Sequence, residues 1–422
     1  MAEVTSVRGT IRVPGDKSIS HRALILGVLS QGHTRVTGIL DSADIRSTAT
    51  VLRTLGAEIP SPTDDFVVRG VGGAGLRRPR HDLDCGNSGT TARLLAGVVA
   101  GARLDATFVG DASLSRRPMR RVAEPLRAMG ASVDLPVHGG LPMRVNAQSL
   151  RAVDWRSPVA SAQVKSAILL AGLVGGVRVS VSEPGLSRDH TERMLAARGV
   201  TVLVSGPALA LPEGQTLHAA DVRVPGDPSS AAYLVALGVL ADRGRVVVRD
   251  VCLNETRTGF IDALLRMGAH LSLGEQRVEG GEPVGAITAH PSELHGITIS
   301  SSEIPAMIDE LPLLACIASR AVGETVVQGA SELRVKESDR IAAVVGNLRA
   351  LGVDAEERGD GFRVSGVRRP LAGRVETRGD HRIAMAFGVL GCIAGNRIEV
   401  DDPACVAVSY PGFWADLQSV RA

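Results

Sequence analysis

Three lysines stand out in a chain whose other 44 basic residues are arginine: Lys17, Lys165 and Lys336. Each lies among small polar and charged residues, in GDKSISHR (15–22), SAQVKSAILL (161–170) and RVKESDR (334–340). An ammonium is a compact point charge with three rotatable donors, suited to a phosphate or to a moving proton, where a planar guanidinium fork is less so. In RVKESDR, Lys336 and Arg340 are four residues apart and Glu337 and Arg340 three apart. Helical spacing would turn all three toward one ligand. SEIPAMIDELPLLACIA (302–318) sets Asp309 and Glu310 between apolar stretches, as a helix start or as paired, working carboxylates.

Several small-polar clusters run directly into apolar helical stretches: Ser18 to Arg22, Asn87 to Thr90, Ser161 to Gln163, Ser338 to Arg340, and Asp380 to Arg382. Such residues cap helix N-termini. The same termini expose unpaired N–H groups and the positive end of the helix dipole, which favour anions. Several of them, each bearing Lys or Arg, point to one polyanionic site.

The elements that must position these groups follow from an internal repeat. RVPGDKSISHRALILGVL (12–29) returns as RVPGDPSSAAYLVALGVL (223–240), an offset of 211 in 422 residues. Shorter repeats, in which a helix ends at glycine before a β-rich stretch, occur at VLRTLGAEI (51–59), PLRAMGASVDL, MLAARGVTVLV (194–204), LLRMGAHLSL and NLRALGVDAEE (347–357). The pattern predicts an α/β (α+β) fold of six units in two triplets. Ile341, Val344, Val345 and Leu348 mark one apolar helix stripe, and RVVVRDV (245–251) one strand. The first RVPGD copy lies so near the chain start that its preceding strand is expected to join the second half. The expected domains are 1–15 plus 226–422, and 16–225, with hinges near 14–16 and 225–227 and a ligand cleft between them. In the second copy Lys17 is replaced by Pro228 and Arg22 by Tyr233, so the fold tolerates the motif without its cations.

Composition narrows the function classes. With 44% hydrophobic residues, 22% charged and a net charge of +2, the chain has no basic excess for nucleic acid or membrane surfaces. Aromatics at 2% leave no base-stacking platform. Five scattered cysteines without metal-ligand spacing suit buried thiols in a reducing cytoplasm. No apolar run approaches the ~20 residues of a membrane span.

The ordered motifs PGDKSISHRA, CGNSGTTARLL, GDASLSRRPM, SAQVKSAILLAG, EPGLSRDHTERML, EIPAMIDELP, RVKESDR, GDHRIAM and SYPGF resemble the 5-enolpyruvylshikimate-3-phosphate synthase family along the whole chain. The resemblance implies two domains of three βαβαββ units each. It implies transfer of the enolpyruvyl group of phosphoenolpyruvate to the 5-hydroxyl of shikimate-3-phosphate, with release of phosphate, by a cytoplasmic monomer of the shikimate pathway that uses no metal or organic cofactor. Carried over by motif, shikimate-3-phosphate falls to Lys17, Ser18, Arg22, Ser161, Ala162 (through backbone), Gln163, Arg188, Asp309 and Lys336. Phosphoenolpyruvate falls to Lys17, Asn87, Gly89, Arg117, Gln163, Arg340 and Arg382. The proton-transfer groups are Asp309 and Glu337, with Lys17 assisting. The two substrates carry about six negative charges, against seven cations less two acids in this set.

Two departures matter. Many family members carry a lysine where this chain has Val408-Ser409. Ala162, Lys165 and Arg188 resemble the class II subgroup, in which glyphosate resistance goes with a methyl at the position of Gly89, here absent. The nearest rival, enolpyruvyl transfer to UDP-N-acetylglucosamine, resembles this chain less. That family shows Lys-Asn in place of Lys17-Ser18 and a loop cysteine, and no cysteine lies near Arg117. A non-catalytic anion binder would gain nothing from carboxylates such as Asp309 and Glu337 among its cations.

Overall fold

The protein is mixed α/β in a computed structural model that describes residues 4–422. It divides into two compact units. The first comprises the chain up to Pro14 with Pro225–Val278 and Pro283–Ala422, and the second Gly15–Val224 with Glu279–Glu282. Each is built on three small sheets.

Every sheet contains one parallel strand pair. In the second unit these are Val222–Arg223 with His33–Thr37, Leu83–Asp84 with Ala106–Val109, and Val153–Arg156 with Val179–Ser182. In the first they are Ser6–Arg12 with Arg243–Cys252, Thr298–Ile299 with Glu324–Val327, and Ala372–Val375 with Arg397–Val400. A parallel pair needs a long crossover, and in four of these six pairs helices between the two strands supply it. Two strands are exchanged. Ser6–Arg12, ahead of the first RVPGD copy, pairs in the first unit, and Val222–Arg223, ahead of the second copy, pairs in the second.

Helices between the strands form the cores. In Lys17–Leu29, Gly89–Gly101, Ala162–Gly175, Pro228–Leu240, Leu311–Ala318 and His381–Gly391, burial runs all around the helix beyond the first turn. They are therefore covered on nearly every face, with polar side chains such as Arg22 and Lys165 among the buried ones, unlike the striped helix Arg340–Ala350, where Ile341, Val344, Val345 and Leu348 are buried as their spacing implies. Gly89–Gly101 and Ala162–Gly175 pack backbone to backbone. A Cβ on Gly97 would come within 2.1 Å of the Ala167 carbonyl oxygen, so only glycine fits there. The repeated helix-closing glycines, Gly56, Gly130, Gly199, Gly268 and Gly352, all have φ between 78° and 97°, the left-handed stop that a side chain disfavours. Four of the five cysteines are buried and Cys405 is partly so. No helix among the described residues is long and apolar enough to cross a membrane.

Candidate active site

In the second unit, site residues gather at the starts of three core helices. Asp16, not Ser18, caps Lys17–Leu29: its Oδ1 accepts from the Ile19 N–H at 2.8 Å. Lys17 and Ser18 are thus already in the first turn, a correction to the cap expected from the cluster. Lys17 Nζ lies 3.1 Å from Asp44 Oδ2, a partner the sequence reading missed. Arg22 is 4% exposed. Its Nε donates to Thr191 Oγ1, its Nη1 to the Ser18 carbonyl and its Nη2 to Ser166 Oγ, at 2.7, 2.9 and 2.8 Å. Burial lowers its pKa to about 10. It braces the backbone that presents Ser18.

The Asn87–Gly89 stretch opens the next helix, with Ser88 as its cap, accepting from the Thr91 N–H. Arg117 Nη2 donates to Asn87 Oδ1 at 2.6 Å, so the arginine and the loop form one assembly. Gln163 joins it from the neighbouring helix. Its Nε2 donates to Thr90 Oγ1 at 2.9 Å, and its Oε1 accepts from Arg93 Nη1 at 2.7 Å. Arg93 was not foreseen. Its signal was position, one turn after Gly89 on the same helix. Ser161 caps Ala162–Gly175 through its side chain, while Ala162 and Gln163 occupy the first turn, where backbone N–H groups lack intrahelical partners. Half-buried Arg188 follows Ser187 in the loop before the helix His190–Ala196.

The first unit gathers the acids and the other cations. Asp309 sits between the short helices Ile304–Met307 and Leu311–Ala318. Lys336 Nζ, Arg340 Nη1 and Arg382 Nη2 lie 3.7, 3.6 and 3.6 Å from its carboxylate, so three cations surround one acid. Glu337 Oε2 accepts from Arg340 Nη2 at 2.7 Å. Buried Glu310 lies 3.8 Å from Arg382 Nη1 and accepts from Ser229 Oγ. Lys336, Glu337 and Arg340 do converge, but not on a helix face. Ser331–Val335 is a 3-10 turn, Lys336 is extended, and the α-helix begins at Arg340 with Asp339 as cap. The capping turn, not the i, i+4 spacing, brings them together.

Asp380 was read only as a cap. It caps His381–Gly391 through the Arg382 N–H at 3.0 Å, and it also accepts from Arg340 Nε at 2.9 Å and from Nη2 at 3.2 Å. Both side chains are 1% exposed or less. Burial opposes the charge on Arg340, but Asp380 and Glu337 outweigh it and raise its pKa. Arg382 is likewise held charged against burial, chiefly by Asp309. Arg340 Nη1, buried and 3.6 Å from Asp309, makes no hydrogen bond among the described residues. A donor left open beside an acid and two further cations is what an anionic oxygen would complete.

The family model for EPSP synthase (3-phosphoshikimate 1-carboxyvinyltransferase) matches residues 1–417. The 3-phosphoshikimate 1-carboxyvinyltransferase of Bacillus cytotoxicus is 45% identical over 415 residues, covering 98% of each chain. That of Alkalilimnicola ehrlichii is 48% identical over 410 residues, covering 97% of this chain and 92% of its own. Among solved structures, EPSP synthase from Acinetobacter baumannii superposes with a TM-score of 0.88 at 40% identity, over 99% of this chain and 96% of that one. The enolpyruvyl transferase NikO from Streptomyces tendae shares the fold, with a TM-score of 0.76 over 99% of this chain and 97% of its own, at 18% identity. With its whole length matched at this level, the chain belongs to the EPSP synthase family.

Proposed function

We propose that the residues above carry out this family's reaction, enolpyruvyl transfer from phosphoenolpyruvate to the 5-hydroxyl of shikimate-3-phosphate, and that they divide the work between the units. Lys17, Ser18, Ser161, Ala162, Gln163 and Arg188 receive shikimate-3-phosphate, with Arg22 supporting Ser18. Asn87, Gly89, Arg117 and Gln163 receive phosphoenolpyruvate together with Arg340 and Arg382. Asp309, beside Lys336, takes the 5-hydroxyl proton as that oxygen bonds to C2 of phosphoenolpyruvate. Glu337 delivers a proton to the methylene carbon, which becomes a methyl group. The tetrahedral adduct then expels phosphate and returns a methyl proton to a base, restoring the double bond. The crossovers near 14–16 and 225–227 are our candidate hinge. We place the enzyme in the cytoplasm as a monomer.

One observation supports this reading above the rest: two carboxylates, Asp309 and Glu337, held among Lys336, Arg340 and Arg382. The cations suit the anionic substrates, and the acids suit proton transfer on both sides of the forming bond. Phosphate release should require shikimate-3-phosphate as acceptor and fail with UDP-N-acetylglucosamine. Glu337→Gln should lower kcat by about 10²–10⁴-fold, the usual worth of a positioned acid or base. Parental turnover in Glu337→Gln would remove the proton-delivery role.

A further inference from the structure

Of the three lysines, Lys165 takes no part in the site described so far. It is buried inside the helix Ala162–Gly175, with its side chain 5% exposed. Its Nζ lies 2.7 Å from Glu192 Oε1, 3.3 Å from Glu183 Oε2 and 3.4 Å from the Ser187 carbonyl oxygen. Three acceptors around one nitrogen match the three donors of an ammonium, and a planar guanidinium would not fit among them. That geometry accounts for a lysine here in a chain that otherwise prefers arginine.

Glu183, with its side chain 2% exposed, uses its two oxygens on different segments. Oε1 accepts the backbone N–H of Ser161 at 2.7 Å, at the start of the helix that presents Ala162 and Gln163. Oε2 accepts from Ser187 Oγ at 2.6 Å, immediately before Arg188. One carboxylate thus joins the two arms assigned to the acceptor substrate, and Lys165 holds both that carboxylate and the Ser187 carbonyl. Burial raises the pKa of the Glu192 carboxyl and the neighbouring Lys165 ammonium, which also pairs with Glu183, offsets this only in part.

We propose that Glu183, locked by Lys165, is a positioning residue that sets the separation between the Ser161–Gln163 turn and Arg188 and so the enzyme's affinity for shikimate-3-phosphate. The proposal rests on the acceptor assignment above. Displacing one charged hydrogen bond from such a brace is worth about tenfold in binding.

The test measures KM for each substrate, kcat and thermal melting in Ser187→Ala, Lys165→Arg and Lys165→Met. Ser187→Ala keeps every charge and frees one arm; Lys165→Arg keeps the charge but not the geometry. Both should raise KM for shikimate-3-phosphate by about three- to tenfold, with a smaller rise in KM for phosphoenolpyruvate, to which Gln163 is also assigned, and kcat within about twofold of the parent. Lys165→Met removes the countercharge and should do the same or more, with lowered melting. Should Lys165→Met fail to fold, Ser187→Ala still decides. Folded Ser187→Ala and Lys165→Arg with parental KM for shikimate-3-phosphate overturn the inference, as does an equal rise in both KM values, which would mean general loosening. Arg188→Ala is the control. A parental acceptor KM in that variant overturns the subsite assignment and the inference with it. A raised KM there, beside parental values in the other two, overturns the inference alone.

Discussion

Asp380→Ala tests the electrostatics of the first unit most directly. Asp380 is completely buried and gives both oxygens to the Arg340 guanidinium, which is itself 1% exposed. At an effective dielectric near 20, an opposite charge about 4 Å away is worth ~4 kcal/mol. Removing one partner of a buried pair costs about 3–5 kcal/mol, because the other charge is stranded. Loss of the cap on His381–Gly391 adds about 1 kcal/mol. Glu337, at 2.7 Å, still holds one edge of Arg340, so the lower part of the range applies and the total is about 4 kcal/mol. Asp380→Asn retains an acceptor for the cap and should cost about 1 kcal/mol less. The chain has two tryptophans, Trp155 in the second unit and Trp414 in the first. Urea unfolding of a Trp155→Phe background, followed by Trp414 fluorescence, therefore reports the affected unit. KM for phosphoenolpyruvate should rise in the same variant, since Arg340 loses its orientation. A stability loss below about 1 kcal/mol with parental kinetics would refute the reasoning, because Glu337 and Asp309 would then suffice to hold Arg340.

Gly89→Ala would place a methyl 2.9 Å from Arg93 Nη1, whose bond to Gln163 would have to give. KM for phosphoenolpyruvate should rise several-fold, and glyphosate inhibition should weaken more than substrate binding; equal inhibition of parent and variant in a competition assay would refute this. His21 is buried, donating to or accepting from Thr48 Oγ1 at 2.7 Å, and burial lowers its pKa to about 3. Between pH 6.5 and about 3 the unfolded chain binds a proton there and the folded chain does not, so stability falls as pH falls. Between pH 6.5 and 4.5 the parent should lose about 2–3 kcal/mol more than His21→Asn, read from urea midpoints at each pH; parallel pH slopes would refute the assignment.

The repeat and the residues proposed for the site could be read from the sequence because both are carried by local patterns. The pairings that give those residues their chemistry were not. Lys17 meets Asp44, Ser161 meets Glu183, and Arg340 meets Asp380 across 27, 22 and 40 residues, through contacts between separate elements. Two local readings also failed for identifiable reasons. The helical spacing assumed for RVKESDR ignored that Asp339 caps the helix, which leaves Lys336 and Glu337 outside it. The cap assigned to Ser18 was correctable from the repeat itself. Pro228 aligns with Lys17, and proline favours the first helical position, so Asp227 and hence Asp16 had to be the caps.

The same alignment separates what the fold needs from what the reaction needs. At the position of Arg22 the second copy carries Tyr233, 2% exposed and packed edge-on against Phe413 at 5.6 Å. An apolar-bodied side chain therefore fills this place in one unit without burying a charge. In the other unit Arg22 is buried to a similar degree and needs Thr191, Ser166 and the Ser18 carbonyl to satisfy it. Replacing a buried ionic group by a well-packed hydrophobic one is often neutral or stabilising. On the proposed assignment, a guanidinium kept at such a site, against a packing alternative in the same chain, serves the position of Ser18, whose carbonyl it holds, and lends its charge to an anion site.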